Sequence, residues 1–440
     1  MYPNPQSALP LPVEPQLEEY EKHVAELAEA SGSEQLASWA KLYLSATARN
    51  TGLAETREAL QQIGVRGTEF LEFASREMRL RAETPEERLK AAHSIVARTH
   101  GFESWARFRA EVLALAEEGS AAARFEASVD AIVNGDILSL RELLREDPQL
   151  VHRRSARAHR ATLLHYVSAN GVESYRQKTP KNIVEITRLL LQEGADVDAE
   201  ADVYGGGCTT LGLAATSVHP EQAGVQEALL QTLLDHGATM EQPAPAGNGQ
   251  SIVTACLANG RPNAARFLVS RGARLDLRGA AGLGRLDTVR EILAQAEERG
   301  QPLDESELES ALFYASGFGQ TDVLEYLLAR GLNPAAADRD GQTVLHWAVI
   351  GGHIRTVDLL LRKKVPLENK NVYGGTPLRQ ALWSAAHGGD AYTYIDILDL
   401  LQAAGAEIPE RHAPINRRVD AWLAEHGSKR EANWNWDSKI

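Results

Sequence analysis

The chain has 440 residues and a formal net charge of −14, because 60 Asp and Glu residues outnumber 46 Lys and Arg residues. A surface of this charge repels nucleic-acid phosphates, so no nucleic-acid partner is expected. Only two cysteines are present, Cys208 and Cys256, which excludes a disulfide scaffold or a cysteine-rich metal site and favours a cytoplasmic location. The sequence has no apolar run of about 18 residues, so we expect no membrane-spanning helix and no membrane partner.

The first 120 residues are predicted to form a disordered lead and a helical domain. Residues 1–16 are rich in proline, which is incompatible with a helix interior, and they lack the basic start and apolar block of a secretory signal. Over 17–120, apolar residues recur every three or four positions, the spacing of amphipathic helices. Phe102, Trp105 and Phe108 are expected to form a small aromatic core there.

A repeated unit follows, over residues 121–408. Its clearest copy, DRDGQTVLHWAVIGGHIRTVDLLL, begins at Asp338. This copy resembles the ankyrin repeat, and the resemblance implies a β-turn plus two antiparallel helices in each unit, stacked on its neighbours into a solenoid. The expected fold class is therefore all-α: an ankyrin-repeat solenoid preceded by a small helical domain. The short helical phrase before the array resembles segments found ahead of bacterial ankyrin arrays, so the array is expected to be of bacterial type.

One spacing sets the period. In the ankyrin unit, the motif leucine lies 19 residues before the glycine that ends the second helix, and three units keep this distance: Leu345–Lys364, Val253–Gly272 and Leu312–Gly331. Three other units contain insertions between their helices, of 11, seven and eight residues; they end at Gly194, Gly237 and Gly405. We expect about eight units in all, and then, over 409–440, a capping helix and a tail that contains Trp434 and Trp436.

The resemblance also implies which positions line the concave face of the array: the turn residues and the variable residues before the last motif glycine. The candidate binding residues are His159, Asn170, Tyr204, Asn259, Phe318, Arg339, Trp347, Tyr373 and Trp383. The aromatic members are attractive anchors, because they bury a large area with little loss of rotamer freedom. Trp347 directly follows the motif histidine His346, which favours the alternative that it packs between neighbouring units.

Catalytic motifs are not evident. The sequence has no HExxH, GxSxG or CxxC pattern, so we predict no catalytic residue, no metal site and no cofactor, and leave enzyme activity open. The motif histidines His165 and His346 are expected to hydrogen-bond turn backbone. A run of arginines at positions 153, 154, 157 and 160 suggests either an anion site or a solvated loop that pairs with nearby acids.

The leading functional expectation is a binding module that holds a partner protein on its concave face. The alternative is a small-molecule-binding protein or an enzyme, because the insertions would wall the concave surface into a pocket. Residues expected to line such a pocket are His165, Tyr166, Tyr175, Tyr204 and His219. A third expectation is a structural scaffold.

Overall fold

The computed structural model describes residues 5–30, 32–51, 69–79, 83–241, 250–300 and 303–431. Its contacts divide the chain into an N-terminal unit, Met1–Gly249, and a C-terminal unit, Gln250–Ile440. The predicted all-α class is confirmed, because the named strands of the described residues amount to two short pairs. No helix within the described part of the chain is both long enough and apolar enough to cross a membrane.

The N-terminal unit begins with four amphipathic helices and a further helical stretch over 69–79. The helices are α1 (Leu17–Glu29), α2 (Ser33–Asn50), α3 (Pro85–Thr99) and α4 (Trp105–Leu115). Their apolar faces meet in one core, in which Phe102 and Phe108 are buried and their rings meet edge to face with centroids 5.4 Å apart. Trp105 is half-buried at the edge of this core, so the predicted aromatic cluster forms.

Three helical hairpins complete the N-terminal unit. They are α5 (Ala121–Asn134) with α6 (Ile137–Glu146), a 3₁₀ helix (Leu163–Ser168) with α7 (Ile183–Gln192), and α8 (Thr210–Thr216) with α10 (Gln226–Asp235), where α9 (Val218–Gln222) lies between the last two helices. The first helices of successive hairpins pack against one another. Between the last two hairpins, β1 (Glu200–Ala201) and β2 (Cys208–Thr209) pair antiparallel in the connecting turn.

Five further hairpins form the C-terminal unit. They are α11 (Ile252–Ala258) with α12 (Pro262–Ser270), α13 (Leu277–Gly282) with α14 (Leu286–Glu298), α15 (Glu305–Gly317) with α16 (Thr321–Ala329), α17 (Val344–Ile350) with α18 (Ile354–Arg362), and α19 (Pro377–Ala386) with α20 (Ala391–Ala403). Each first helix contacts the first helix of the next hairpin, so one core continues from Leu277 to Leu423. No hairpin could bury its apolar face alone, and stacking supplies the missing surface.

The motif residues hold each repeat to the next. The Thr343 hydroxyl accepts a hydrogen bond from the His346 backbone N–H, and His346 Nδ1 lies 3.2 Å from the Thr343 backbone nitrogen. Because Nδ1 accepts from that N–H, the other ring nitrogen carries the proton, and Nε2 lies 3.0 Å from the carbonyl oxygen of Gly375 in the next turn. His165 makes the equivalent contact with the Cys208 carbonyl at 3.3 Å, so both motif histidines have the predicted backbone role.

The inserted residues take three different forms. In the second hairpin they form a loop over 169–182 with a short 3₁₀ turn, Ser174–Arg176. In the third hairpin they include the short helix α9. In the last hairpin they lengthen both helices, to 10 residues in α19 and 13 in α20, against 7 and 9 in α17 and α18. The last hairpin is therefore longer than the one before it.

A final helix, α21 (Arg417–Glu425), packs on α20. Its residues Val419 and Leu423 are fully buried, and the Trp422 indole donates to Asp399 at 2.7 Å. Two short strands flank α21 and pair parallel, β3 (Arg411–His412) and β4 (Lys429–Arg430). The predicted capping helix thus covers the outer helix of the last hairpin. The tail that contains Trp434 and Trp436 lies outside the described residues.

Candidate functional site

A cavity of about 490 Å³ lies at the end of the last repeat, and we name it the Trp383 cavity. Its first wall is the turn before α19, which contributes Tyr373. Its second wall is α19 itself, with Arg379 and Trp383, and Ile350 extends this wall from α17. Its third wall is the segment 409–415, which follows the last repeat. The cavity is therefore built by repeat residues on two sides and by non-repeat residues on the third.

Helix α19 presents Arg379 and Trp383 on one side, because residues four positions apart lie one turn apart. The helix starts where the Thr376 hydroxyl accepts from the Arg379 backbone N–H at 3.4 Å. Leu378 and Leu382 are buried in the core, which fixes the rotation of the helix about its axis. The Trp383 ring stacks on His387 with centroids 4.1 Å apart, so its orientation is set before any ligand arrives.

The turn that contains Tyr373 is ordered by Asn371. The buried Asn371 side chain accepts hydrogen bonds from the backbone N–H groups of Tyr373, at 3.1 Å, and Gly375, at 2.9 Å. The Val372 N–H donates to the Asp340 carbonyl oxygen of the preceding turn at 2.8 Å. These bonds hold the tyrosine ring in an exposed position on a fixed backbone.

The third wall is tied down by the two C-terminal strands. The Lys429 N–H donates to the Glu410 carbonyl at 2.8 Å, and the Glu431 N–H donates to the His412 carbonyl at 3.0 Å. The His412 side chain is buried, and its Nδ1 lies 3.0 Å from the Ser428 hydroxyl. Its Nε2 is buried and has no hydrogen-bond partner among the described residues. Burial lowers the pKa of His412, which favours a neutral ring near pH 7.

The lining of the cavity is apolar with a cationic edge. Large apolar side chains are unusually open here, since Tyr373 is 58% exposed, Trp383 is 40% exposed and Ile350 is 43% exposed. Arg379 and Arg411 also line the cavity, and no Asp or Glu is among the lining residues, which are all in the described part of the chain. Arg411 pairs with Glu431 at 2.8 Å. No described residue pairs with the Arg379 guanidinium.

Three of the other candidate binding residues lie elsewhere in the C-terminal unit. Asn259 is exposed, and its side-chain amide donates to the Ala255 carbonyl of its own helix at 2.9 Å. Phe318 is half-buried beside Tyr314, with ring centroids 6.3 Å apart. Arg339 is almost fully exposed, 3.9 Å from Asp340. The structure does not bring these three residues into the Trp383 cavity.

Trp347 packs between two repeats. Its indole N–H donates to Asp338 at 3.0 Å, and its ring stacks on Phe313 of the preceding repeat at 6.0 Å. A Cβ atom added at Gly317 would lie 2.7 Å from the ring, so the preceding helix touches the indole closely. This geometry matches the packing interpretation of Trp347.

In the N-terminal unit, Asn170 and Tyr204 form one polar group. The Tyr204 hydroxyl donates to the Asn170 side chain at 2.7 Å and also accepts from the Gln6 amide. The Asn170 amide donates in turn to the Leu213 carbonyl at 3.1 Å. The predicted turn residue Tyr204 therefore contacts the N-terminal segment of the chain, and Asn170 contacts the next repeat.

His159 is buried beside a charged cluster that the sequence does not reveal. The Ala161 N–H donates to His159 Nδ1 at 3.1 Å, so Nε2 carries the proton and faces Glu173 at 3.3 Å. Glu173 also pairs with the buried Arg157 at 2.5 Å, and nearby Arg176 pairs with Glu126 at 2.7 Å. Burial alone would raise the pKa of Glu173, but the surrounding cations hold it well below its ordinary value.

Residues suggested for a pocket near the insertions have structural contacts. His165 and Tyr166 are buried, while Tyr175 and His219 are half-buried. Tyr175 accepts a hydrogen bond from Arg157 at 3.2 Å. Two residues of the arginine run also have structural contacts. Arg157 pairs with Glu173 inside the protein, and Arg154 donates to the Arg160 and Glu200 carbonyls.

The helical hairpins and their connecting turns define a helical repeat protein. Comparison with known proteins gives the family: residues 312–412 match the model for ankyrin repeats in three copies. An ankyrin repeat protein of Rickettsia bellii is 33% identical over 81 residues, which are 18% of this chain and 40% of that protein. The chain therefore contains ankyrin repeats, as the sequence motif predicted. Ankyrin repeats are in general modules for protein–protein interaction.

Two larger plant proteins share similar segments. Serine/threonine-protein kinase 12 of Arabidopsis thaliana is 30% identical over 98 residues, 22% of this chain and 20% of the kinase. The probable E3 ubiquitin-protein ligase XBOS33 of Oryza sativa subsp. japonica is 30% identical over 151 residues, 34% of this chain and 27% of the ligase. The chain thus spans less than half the length of each of the three relatives.

Proposed function

We propose that the chain binds a partner protein at the Trp383 cavity of its C-terminal unit. The observation that carries the proposal is the grouping of three open apolar side chains, those of Tyr373, Trp383 and Ile350, around one concave surface. Single exposed apolar residues are common on proteins, whereas a contiguous group with polar edges is typical of an interaction site. Tyr and Trp are also the residues that most often dominate binding energy at interfaces.

The rigidity of the site supports the same proposal. The Tyr373 backbone is held by Asn371, and Trp383 stacks on His387, so little conformational freedom remains to be lost on binding. Most of the site also lies within the segment that matches the ankyrin family, whose repeats serve in protein–protein interaction. Repeat residues build two of the three walls of the cavity.

Affinity capture tests this function. Immobilised full-length chain and a Tyr373→Ala/Trp383→Ala variant are incubated with extract of the organism that encodes the chain, and bound proteins are quantified by mass spectrometry. A matched control, Leu138→Ala/Tyr392→Ala, removes two exposed side chains, 73% and 60% exposed, that do not line the cavity. We expect a protein to be retained by the wild type and the control but lost from the cavity variant. Purified partner must then bind directly, and equal retention by all three chains contradicts the proposal.

The size of the cavity favours one second candidate, a small-molecule site. A volume of about 490 Å³ with a mainly apolar lining and a few polar groups is in the range of ligand pockets. This candidate predicts that small molecules co-purify with the wild-type chain and not with the Trp383→Ala variant. Native mass spectrometry of the two proteins measures the difference.

A further inference from the structure

The charge of the Trp383 cavity lining is opposite in sign to the net charge of the chain. The chain as a whole has a net charge of −14, yet the cavity lining has two arginines and no carboxylate. The charge of Arg411 is already balanced by Glu431, because their side chains lie 2.8 Å apart. Arg379 is exposed and has no ionic partner among the described residues. The edge of the cavity therefore offers one uncompensated positive charge.

Arg379 and the apolar surface are close enough to act on one ligand. Arg379 and Trp383 lie one helical turn apart on α19, with Cβ atoms separated by about 5–6 Å, as for any such pair. A ligand that places an apolar group against Trp383 would thus bring its neighbouring atoms to the guanidinium. Guanidinium groups bind carboxylates through paired hydrogen bonds, which gives both attraction and orientation.

On the basis of the proposed function, we propose that the Trp383 cavity recognises a partner segment with a bulky apolar side chain and a nearby carboxylate. The carboxylate lies close to the apolar residue in sequence, on either side of it. The apolar side chain lies against Trp383, Tyr373 and Ile350. The carboxylate of an adjacent Asp or Glu binds Arg379. A basic residue at that position would be repelled, so the same arginine also selects against basic partners.

The space and the open side chains argue for a protein segment as the occupant. A cavity of about 490 Å³ exceeds the needs of one side chain, so backbone and flanking residues also enter. The turn before α19 offers Tyr373 at the rim, in continuity with the exposed Val372. A segment lying across the rim would contact both, whereas a small molecule inside the cavity would leave Val372 open.

Selection from a random peptide library tests this inference. A phage-displayed library of random 12-residue peptides is selected on the full-length wild type, on Arg379→Glu and on the matched control Arg355→Glu. Arg355 is exposed, lies in the same unit and does not line the cavity. We expect the wild type and control to enrich peptides with Trp, Phe, Leu or Ile within two positions of Asp or Glu. Arg379→Glu should instead enrich Lys or Arg at that distance.

One selected peptide then provides the quantitative test by fluorescence anisotropy. Replacing its acidic residue by Gln or Asn should weaken binding to the wild type about fivefold and leave binding to Arg379→Gln almost unchanged. Trp383→Ala should weaken the unmodified peptide by about 30-fold. The assignment of Arg379 is overturned if replacing the acidic residue leaves the affinity for the wild type unchanged. It is also overturned if the replacement weakens binding to the wild type and to Arg379→Gln by the same factor.

The remaining outcomes separate this inference from the proposed function. If the cavity variant loses a captured protein but selected peptides show no acidic preference, the function stands and the charge rule is wrong. If no peptide is enriched and 3-phenylpropionate binds the wild type but not Arg379→Gln, the carboxylate site serves a small molecule, and the partner-segment proposal is wrong. If the wild type, the cavity variant and the control capture the same proteins in equal amounts and no peptide is enriched, both proposals fail.

Discussion

Lys364 occupies a position at which most other repeats have glycine. The residue that ends the second helix has a positive φ in the neighbouring repeats, 94° at Gly331 and 99° at Gly405, and Lys364 has a φ of 56°. A side chain with a Cβ is disfavoured in this left-handed region by about 1 kcal/mol. The path that the fold imposes on the chain after α18 therefore outweighs the preference of the lysine for a negative φ.

This strain predicts that Lys364→Gly stabilises the protein. The side chain of Lys364 is exposed, so its loss removes no buried contact. We expect the free energy of unfolding to rise by about 0.5–1 kcal/mol, since the relief of strain exceeds the greater freedom of glycine in the unfolded chain. Urea unfolding, monitored by circular dichroism, measures the change. Lys363→Gly, one position earlier in the chain, is the control. A loss of stability in Lys364→Gly contradicts the interpretation.

His100 predicts a dependence of stability on pH. Its ring is buried, with Nδ1 lying 3.1 Å from the Leu9 carbonyl and Nε2 lying 2.7 Å from the Tyr43 hydroxyl. Burial and the nearby Arg157 charge lower the pKa of His100 to about 3 from 6.5. The folded pKa is lowered, so the stability from the neutral ring is complete above pH 6.5. It is lost as the pH falls from 6.5 toward 3, because the unfolded chain takes up a proton first.

A His100→Gln variant isolates this effect. Each pH unit in that window corresponds to about 1.4 kcal/mol for one group. Between pH 6.5 and 5, the wild type should lose about 2 kcal/mol more of its free energy of unfolding than His100→Gln does. The other buried histidines titrate in both proteins, so their contribution cancels in the comparison. If the free energy of unfolding falls equally with pH in the two proteins, His100 does not carry the effect.

At the scale of elements, a buried ionic cluster fastens the insertion of the second hairpin. Glu173 and Arg176 belong to the inserted residues, whereas Glu126 and Asp130 belong to α5. Arg157, from the turn before the second hairpin, joins them through Glu173 and also donates to the His100 carbonyl at 2.6 Å. The cluster thus connects the insertion to α5 and to the end of α3.

Glu173→Gln should destabilise the N-terminal unit strongly. The substitution keeps the size of the side chain but leaves Arg157 with a buried and poorly balanced charge, which typically costs about 3–5 kcal/mol. The exposed pair Asp287 and Arg290 supplies the control, since Asp287→Asn should change the free energy of unfolding by no more than about 0.5 kcal/mol. Denaturant unfolding measures both variants. A cost for Glu173→Gln as small as that of the control would mean that water already screens the cluster.

The elements differ in how far sequence alone predicts them. The hairpins with a regular period are predictable, because Leu345 and its equivalents must be buried for neighbouring repeats to stack. The cluster around Glu173 is not, because its members are separated by up to 50 positions and pair only after the insertion has folded. The arginine run suggested either an anion site or a solvated loop, and nothing in the spacing shows that Arg157 pairs with acids inside the protein.

At the scale of the molecule, two of the three walls of the candidate site follow from the repeat pattern. Tyr373 and Trp383 occupy the turn and the motif end of one repeat, so the family geometry predicts that they lie near each other. The third wall of the Trp383 cavity does not follow, because residues 409–415 come after the last repeat and share no motif with it. Their position depends on the pairing of β3 with β4, two strands that are too short to show a pattern.

The C-terminal unit contains a continuous core and the complete Trp383 cavity, which predicts that it folds and binds by itself. Residues 250–440, expressed alone, should unfold in one cooperative urea transition and bind a selected acidic peptide within about threefold of the affinity of the full chain. A second fragment that ends at residue 408 lacks the third wall and should bind at least about tenfold more weakly, although its repeats are retained. Circular dichroism and fluorescence anisotropy measure folding and binding of both fragments. Equal affinity of the two fragments would remove residues 409–415 from the site.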